Sequence, residues 1–211
     1  MKLLVAGAGG HGRVVADAAL ATGCWTEIAF VDDRYPALQR SGRWAVVGNV
    51  SGLAEMAGAF DALVPAIGDA SLRTAILDSA MALGLRTPAI LHPRAVIASD
   101  VEIGPGVVVL AGAVVNTGAR LGRASIVNTG AIVEHDCGLG TGSHVCPGAC
   151  LAGEVLVGDR CWIGIGAVVR QRVTLAPDVT LGAGAVCVGD IHTAGTYIGV
   201  PARRQGSPGR E

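Results

Sequence analysis

From residue 91 onward the chain places an aliphatic side chain at every sixth position: Leu91, Ile97, Ile103, Val109, Val115, Leu121, Val127, Val133, Leu139, Val145, Leu151, Val157, Ile163, Val169, Leu175 and Leu181. With such residues at about one position in three, chance would produce this run on the order of 10⁻⁸ of the time. Two positions before each stands a mostly smaller residue: Ala95, Val101, Val107, Ala113, Ala119, Ser125, Ala131, Cys137, Ser143, Ala149, Val155, Cys161, Ala167, Val173, Val179 and Ala185. A spacing of two puts both on one face of a short strand, so each unit offers a large and a small side chain to a narrow interior. One position after the aliphatic, Gly or Asn occupies half of the units, at Gly104, Asn116, Gly122, Asn128, Gly140, Gly158, Gly164 and Gly182. Both tolerate φ > 0 cheaply, which predicts a corner there.

Before this repeat the period is different. Strands are predicted over 2–6, 28–31, 45–47 and 62–67, and helices over 12–21, 51–57 and 71–83. Their alternation predicts a small parallel sheet. The expected organisation is an α/β Rossmann-like unit over 1–88 and a repeat unit over 89–211.

The repeat resembles the hexapeptide-repeat acyltransferase superfamily. The resemblance implies a prism-shaped left-handed parallel β-helix with three strands and about eighteen residues per coil. Its handedness comes from the resemblance, because ordinary parallel crossovers are right-handed. With that coil length, residues i and i+18 stack directly.

Composition narrows the partners. Sixteen Lys+Arg oppose 17 Asp+Glu, for a net charge of -1, so no basic field is available for nucleic acid or an anionic membrane. The mean hydropathy of +0.52 raises the question of a membrane span. However, the uncharged run 103–119 carries Gly104, Pro105, Gly106, Gly112, Asn116 and Gly118, which suits turns rather than a spanning helix. The opening MKLLVAGAG lacks the pattern of a signal peptide, so a cytoplasmic protein is expected. Six cysteines show neither CxxC spacing nor a compact framework, and reduced thiols are expected, with Cys137 and Cys161 pointing inward as small apolar residues. No Cys/His cluster has metal-ligand spacing, and no metal is expected.

Chemistry concentrates around His135. It falls at a predicted corner, stacked by the eighteen-residue rule between Thr117 and Gly153. A lone corner histidine is most simply a solvated polar residue. Here, however, Asp136 can accept from one ring nitrogen and leave the other as a base, and Gly153 can present an N–H to a developing oxyanion. The stretch containing Asn128, Thr129, Val133, Glu134, His135, Asp136 and Cys137 resembles the sugar acetyltransferases of the PglD and NeuD kind, among them bacillosamine-pathway and perosamine N-acetyltransferases. That resemblance implies His135 as general base, Asp136 as its partner and the Gly153 amide as oxyanion donor. It also implies His144 beside the acetyl-CoA thiol end and Arg203, in the segment YIGVPARR, near the CoA phosphates. For His144 an inert corner histidine is an equal alternative, and for Arg203 a disordered basic tail.

At the other end, GAGGHG over 7–12 follows a strand and opens a helix, so its backbone amides can meet a phosphate. Asp32 ends the next strand, and an NAD site is therefore a rival reading, although 88 residues are short for two halves of a dinucleotide fold. The resemblance instead implies a nucleotide-sugar site, with Gly9, Gly10, His11, Gly12, Asp32, Asp33 and Gly68 in its loops. His11 has the plainer alternative of merely beginning the helix. The expected function is acetyl transfer from acetyl-CoA to the amine of a nucleotide-linked 4-amino-sugar, by a homotrimer. Alternatives are O-acetylation of a sugar such as sialic acid, and a non-catalytic nucleotide-binding or scaffold module.

Overall fold

A computed structural model describes residues 1–206; the last five residues of the expected repeat unit lie outside them. The N-terminal part is built from β1 (Lys2–Ala6), α1 (Gly10–Ala21), β2 (Glu27–Val31), β3 (Arg40–Ser41), β4 (Trp44–Gly48), α2 (Leu53–Met56), β5 (Ala62–Pro65) and α3 (Ala70–Ala82). The sheet order is β3-β4-β2-β1-β5, parallel except for the β3–β4 pair. The four expected strands are present, with β5 ending at Pro65, two residues early. The helix expected over 51–57 is a 3₁₀ turn, Val50–Gly52, running into a single α turn, and the two-residue β3 carries too short a pattern to be read in the sequence.

After α3 the chain winds into a left-handed parallel β-helix. Its first face stacks Ile90–Leu91, Val108–Val109, Ile126–Val127, His144–Val145, Trp162–Ile163 and Val179–Leu181. The second stacks Val96–Ile97, Val114–Val115, Ile132–Val133, Cys150–Leu151, Val168–Val169 and Val186–Cys187. The third stacks Glu102–Ile103, Arg120–Leu121, Gly138–Leu139, Leu156–Val157 and Thr174–Leu175. Within these stacks successive coils pair at i and i+18, as the sequence predicts. The six-step aliphatics and their smaller companions fill the interior: from Val107 onward both sets are buried, while Leu91, Ala95, Ile97, Val101 and Ile103 are partly covered at the open end. Cys137 and Cys161 point inward as expected and donate to the Ala152 and Ala176 carbonyls, each at 3.1 Å.

The corners are not where the sequence reading put them. Positive φ recurs every six residues from 106 to 184, three positions after the aliphatic rather than one, and six of these sites carry side chains: Ala124, Asp136, Glu154, Arg160, Arg172 and Asp178. The glycines one position after the aliphatic serve close packing instead. A Cβ on Gly140 would sit 2.5 Å from the Asp159 nitrogen, and one on Gly164 2.4 Å from the Leu181 oxygen, in the next coil. Backbone contact between coils, not backbone conformation, therefore excludes a side chain there.

The α/β unit covers the first face and the edge between the third and first faces. Outward-pointing Ile90, Val108 and Ile126 are buried among Leu3, Val15, Ala16 and Ala19, each such burial contributing roughly 1.5–3 kcal/mol. Leu77 of α3 meets Gly106 at the edge, and Arg123 pairs with Asp78. No helix among the described residues is long and apolar enough to cross a membrane.

Candidate active site

His135 sits on the edge between the second and third faces, with its side chain half exposed. Its Nδ1 lies 2.8 Å from the Asp136 carboxylate, whose residue takes a left-handed φ of 59°. Donation from Nδ1 to this oxygen leaves Nε2 with the free lone pair. The same hydrogen bond is the main reason that the imidazolium is favoured and the His135 pKa lies above the usual 6.5, with the charges of Asp136, Glu134 and Glu154 adding to it. The Nε2 end of the ring lies against Gly153 of the next coil: a Cβ there would fall 2.4 Å from Nε2, 2.6 Å from Cε1 and 3.0 Å from Cδ2. Among the described residues nothing accepts from the Gly153 amide. The base-type nitrogen and an unengaged N–H are thus neighbours on one edge.

The second site surrounds the glycine-rich loop. A cleft of about 360 Å³ is lined by Gly9, Gly10, His11, Asp32, Asp33 and Gly68 of the sequence-predicted set, together with Arg34 and Val50, which that reading missed. Gly12 is not part of this lining. It lies beneath the loop, where a Cβ would come within 1.8 Å of the Gly7 oxygen, so its task is packing α1 onto β1. Asp32 holds the loop, accepting from the Ala8 amide at 2.8 Å and from Arg34 Nε and Nη2 at 2.7 and 2.9 Å. The Arg34 guanidinium drives the Asp32 carboxyl well below the usual carboxylate range. A Cβ at Gly9 or Gly10 would meet nothing, so both leave the mouth of the cleft open. A neighbouring cleft of about 450 Å³ lies beyond Val50, lined by Tyr35, Asn49, Ser51 and Glu55 among others.

His144 departs from expectation. It lies in the strand His144–Val145 of the first face, not at a corner, and is only 5% exposed. Its ring packs edge-on to Trp162 at 4.6 Å and lies 6.0 Å from the His11 ring. Asn128 Oδ1 accepts from the Thr129 amide at 2.8 Å, so its Nδ2 donates to His144 Nε2 at 2.9 Å and the His144 proton rests on Nδ1. Burial pushes the His144 pKa down to about 3 and that of His11 to about 4, and the nearby Arg73 charge lowers both. The structure therefore joins His144 to a residue of the glycine loop, at the junction of the two units, and separates it from His135 on the opposite edge.

Arg203 is ordered. It belongs to the short strand Arg203–Arg204, antiparallel to Gly195–Ile198, and is exposed beside a cleft lined by Gly189 and Asp190. Gly189 stands three coils from His135 on the same edge, roughly 14 Å at the spacing of adjacent strands. The residue most easily overlooked is Arg73, which is fully buried. Its sequence signal is a lone cation in the helical apolar stripe Arg73, Ile76, Leu77, Ala80. Among the described residues no group of three or more His, Cys, Asp or Glu side chains is placed to hold a metal ion.

The PglD N-terminal domain family matches residues 2–80. The acetyltransferase domain of PglB from Neisseria gonorrhoeae FA1090, solved with acetyl coenzyme A, is 42% identical over 97% of this chain and 98% of its own, with a TM-score of 0.93. PerB from Caulobacter crescentus, solved with CoA and GDP-perosamine, is 37% identical over 98% of both chains, also with a TM-score of 0.93. WeeI from Acinetobacter baumannii AYE, at 24% identity over 97% of this chain and all of its own, shares the fold with a TM-score of 0.87. No curated protein matches the sequence.

Proposed function

The chain belongs to the PglD family of sugar N-acetyltransferases, and from that premise we propose that it moves the acetyl group of acetyl-CoA onto the amine of a nucleotide-linked 4-amino-sugar, with His135 as base. The observation that carries this reading is the His135 ring lying on Gly153 with its Nδ1 held by Asp136. As the neutral amine attacks the thioester carbonyl, a C–N bond forms and the nitrogen becomes cationic. His135 Nε2 removes its proton, and the Gly153 N–H donates to the oxyanion. When the C–S bond breaks, the electron pair leaves on sulfur and the imidazolium protonates the thiolate. Asp136 fixes the tautomer and favours the imidazolium that forms. Acetyl-CoA would run along the His135 edge toward Arg203, whose cation suits its phosphates. The acceptor's diphosphate would occupy the glycine-loop cleft, with the nucleoside extending toward Tyr35 and Glu55. His11 and His144 together belong to the acceptor side of this arrangement.

One chain cannot complete the site. The edge carrying His135 is opposite the face that the α/β unit covers, so the cleft and the base of a single chain look away from each other. The second face meanwhile presents an outward column of Val96, Val114, Ile132, Cys150, Val168 and Val186 with no cover. Such a strip, adjoining the His135 edge, fits a second copy of the chain. A homotrimer would bring each base to a neighbour's cleft by closed symmetry, and expected light scattering is three times the 21.1 kDa chain mass.

The test is acetyl transfer from acetyl-CoA to UDP-, GDP- and dTDP-linked 4-amino-sugars, with free sialic acid as the competing acceptor. His135→Ala should lower kcat about 10²- to 10⁴-fold and leave the KM for acetyl-CoA nearly unchanged. Efficient acetylation of sialic acid with every amino-sugar nucleotide inert would replace this reading by O-acetylation. An unchanged kcat in the His135 variant would exclude the base.

A further inference from the structure

Arg73 is a buried cation without a carboxylate on its guanidinium. Its hydrogen bonds go to backbone carbonyls of two structural units. On the α/β side Nη1 donates to Ile67 O at 2.7 Å and to Gly68 O at 2.9 Å. On the β-helix side Nε donates to Ala124 O at 2.9 Å and Nη2 to Gly142 O. Ala124 and Gly142 are left-handed corners of successive coils, one directly above the other. Burying an arginine in this way costs several kcal/mol unless its donors are satisfied, and a purely apolar contact would fill the same stripe of α3 without that cost. The four carbonyls take four of its five N–H donors, but they do not by themselves explain why a cation stands there.

The explanation lies on the far side of the peptides it holds. In a trans peptide the C=O and the following N–H point in opposite directions. With the Ile67 and Gly68 oxygens drawn onto Arg73, the Gly68 and Asp69 amides are turned away from it, and Ile67 and Gly68 themselves line the glycine-loop cleft. Among the described residues nothing accepts from either amide. The same wall is pressed against the glycine loop, since a Cβ at Gly7 would lie 2.8 Å from the Ala66 oxygen. The orientation of these two donors is thus fixed by a side chain that itself never faces the cleft.

We propose that Arg73 is a positioning residue for the nucleotide-linked acceptor: anchored on two coils of the β-helix, it holds the Ile67 and Gly68 carbonyls away from the cleft and presents the Gly68 and Asp69 amides to the acceptor's diphosphate. This rests on the cleft being the acceptor site. It assigns to Arg73 no contact with substrate, only the shape of the wall and its place relative to the prism.

The test compares wild type with Arg73→Met, which keeps length but removes charge and donors, and with Arg73→Lys, which restores a charge and part of the hydrogen bonding. Affinity for UDP, GDP and dTDP is measured by calorimetry, and steady-state constants with whichever amino-sugar nucleotide is used. Arg73→Met should raise the Kd for the nucleoside diphosphate and the acceptor KM about tenfold, the scale of losing two oriented hydrogen bonds, with the acetyl-CoA KM within twofold. Arg73→Lys should recover part of the loss. A folded Arg73→Met protein with unchanged acceptor affinity overturns the proposal, as does an equal loss for acetyl-CoA, which marks a structural role only. If Arg73→Met does not fold, hydrogen exchange on the wild type decides: the Gly68 and Asp69 amides should gain protection when the nucleoside diphosphate binds, and no gain overturns the proposal. Wild-type protein that binds none of the three nucleotides would overturn the acceptor reading along with it.

Discussion

Adding one methyl group at Gly153 should disable the enzyme without unfolding it. The φ of Gly153 lies outside the left-handed region, so alanine is allowed by the backbone. The new Cβ would be 2.4 Å from His135 Nε2 and 2.6 Å from Cε1, about 1 Å inside ordinary contact for such atoms. The ring has room to yield, because the His135 side chain is half exposed. Yielding tilts Nε2 away from the Gly153 amide and strains the 2.8 Å bond to Asp136. The geometry that places the proposed base and the proposed oxyanion donor side by side is then lost, and the expected fall in kcat approaches that of deleting the base, about 10²- to 10⁴-fold. Stability should change by no more than about 1 kcal/mol, since the strained side chain faces solvent.

A double-mutant cycle separates this account from others. If the methyl acts through the ring, Gly153→Ala should cost much less in a His135→Ala background, because the atom it collides with is gone. Steady-state kinetics with acetyl-CoA and the preferred acceptor measure all four corners, and thermal melting checks the fold. A Gly153→Ala enzyme with kcat within twofold of wild type would refute the steric argument. Additive losses in the double variant would show instead that Gly153 acts independently of His135.

Two further outcomes are expected. The raised His135 pKa places the acid limb of the kcat/KM profile above pH 6.5, and Asp136→Asn, which weakens the raising hydrogen bond and removes its charge, should move that limb to lower pH while reducing the plateau; a limb that does not move excludes His135 as its source. His11 and His144 are neutral when folded, with pKa values of about 4 and 3, and return to 6.5 when unfolded, so protons favour the unfolded chain below pH 6.5. Stability from this source should therefore be fully present well above pH 6.5 and fall by roughly 3 kcal/mol between pH 6.5 and 5, checked by urea unfolding, and replacing both with Asn should flatten that slope.

The β-helix was legible because its interior is written as a strict period. Each buried aliphatic sits in the same local environment, so one rule read sixteen times gave the register of every coil. The corners were misplaced because glycine has two uses that composition does not separate. At Gly140 and Gly164 it permits backbone contact between coils, while positive φ is imposed at positions such as Arg160 and Arg172 that are not glycine at all. His135, Asp136 and Gly153 were legible together only because the eighteen-residue coil turned sequence distance into contact. The strand position of His144 and the place of Arg73 were not legible for the opposite reason: their surroundings come from the packing of one unit on the other, and no period within either unit encodes it. Arg73 left a faint mark, a cation in an apolar helical stripe, and Arg34 another, two residues beyond Asp32.

The separation of base and cleft also explains which residues on the prism surface are free to vary from the repeat. A regular β-helix offers three outward faces and three edges, and only the interior demands uniform chemistry. The first face is used for docking the α/β unit, and its outward column runs from Ile90, Val108 and Ile126 through the still buried His144 to Trp162, which is exposed where that cover runs out. The second face keeps an apolar column along its whole length, which a docked copy requires and a solvated face does not. The third face carries Glu102 and Arg120, paired at 3.5 Å, followed by Gly138, Leu156 and Thr174, a mixed column that water can cover. An exposed edge between an assembly face and a solvated face can be reached by a substrate arm and still be closed by a partner. His135 occupies that edge. A base placed on the first face would be buried beneath its own chain's α/β unit, and one on the edge between the third and first faces would collide with α3. On the proposed mechanism the position of the base follows from the two surfaces already taken, and the proposed assembly would serve catalysis as well as stability.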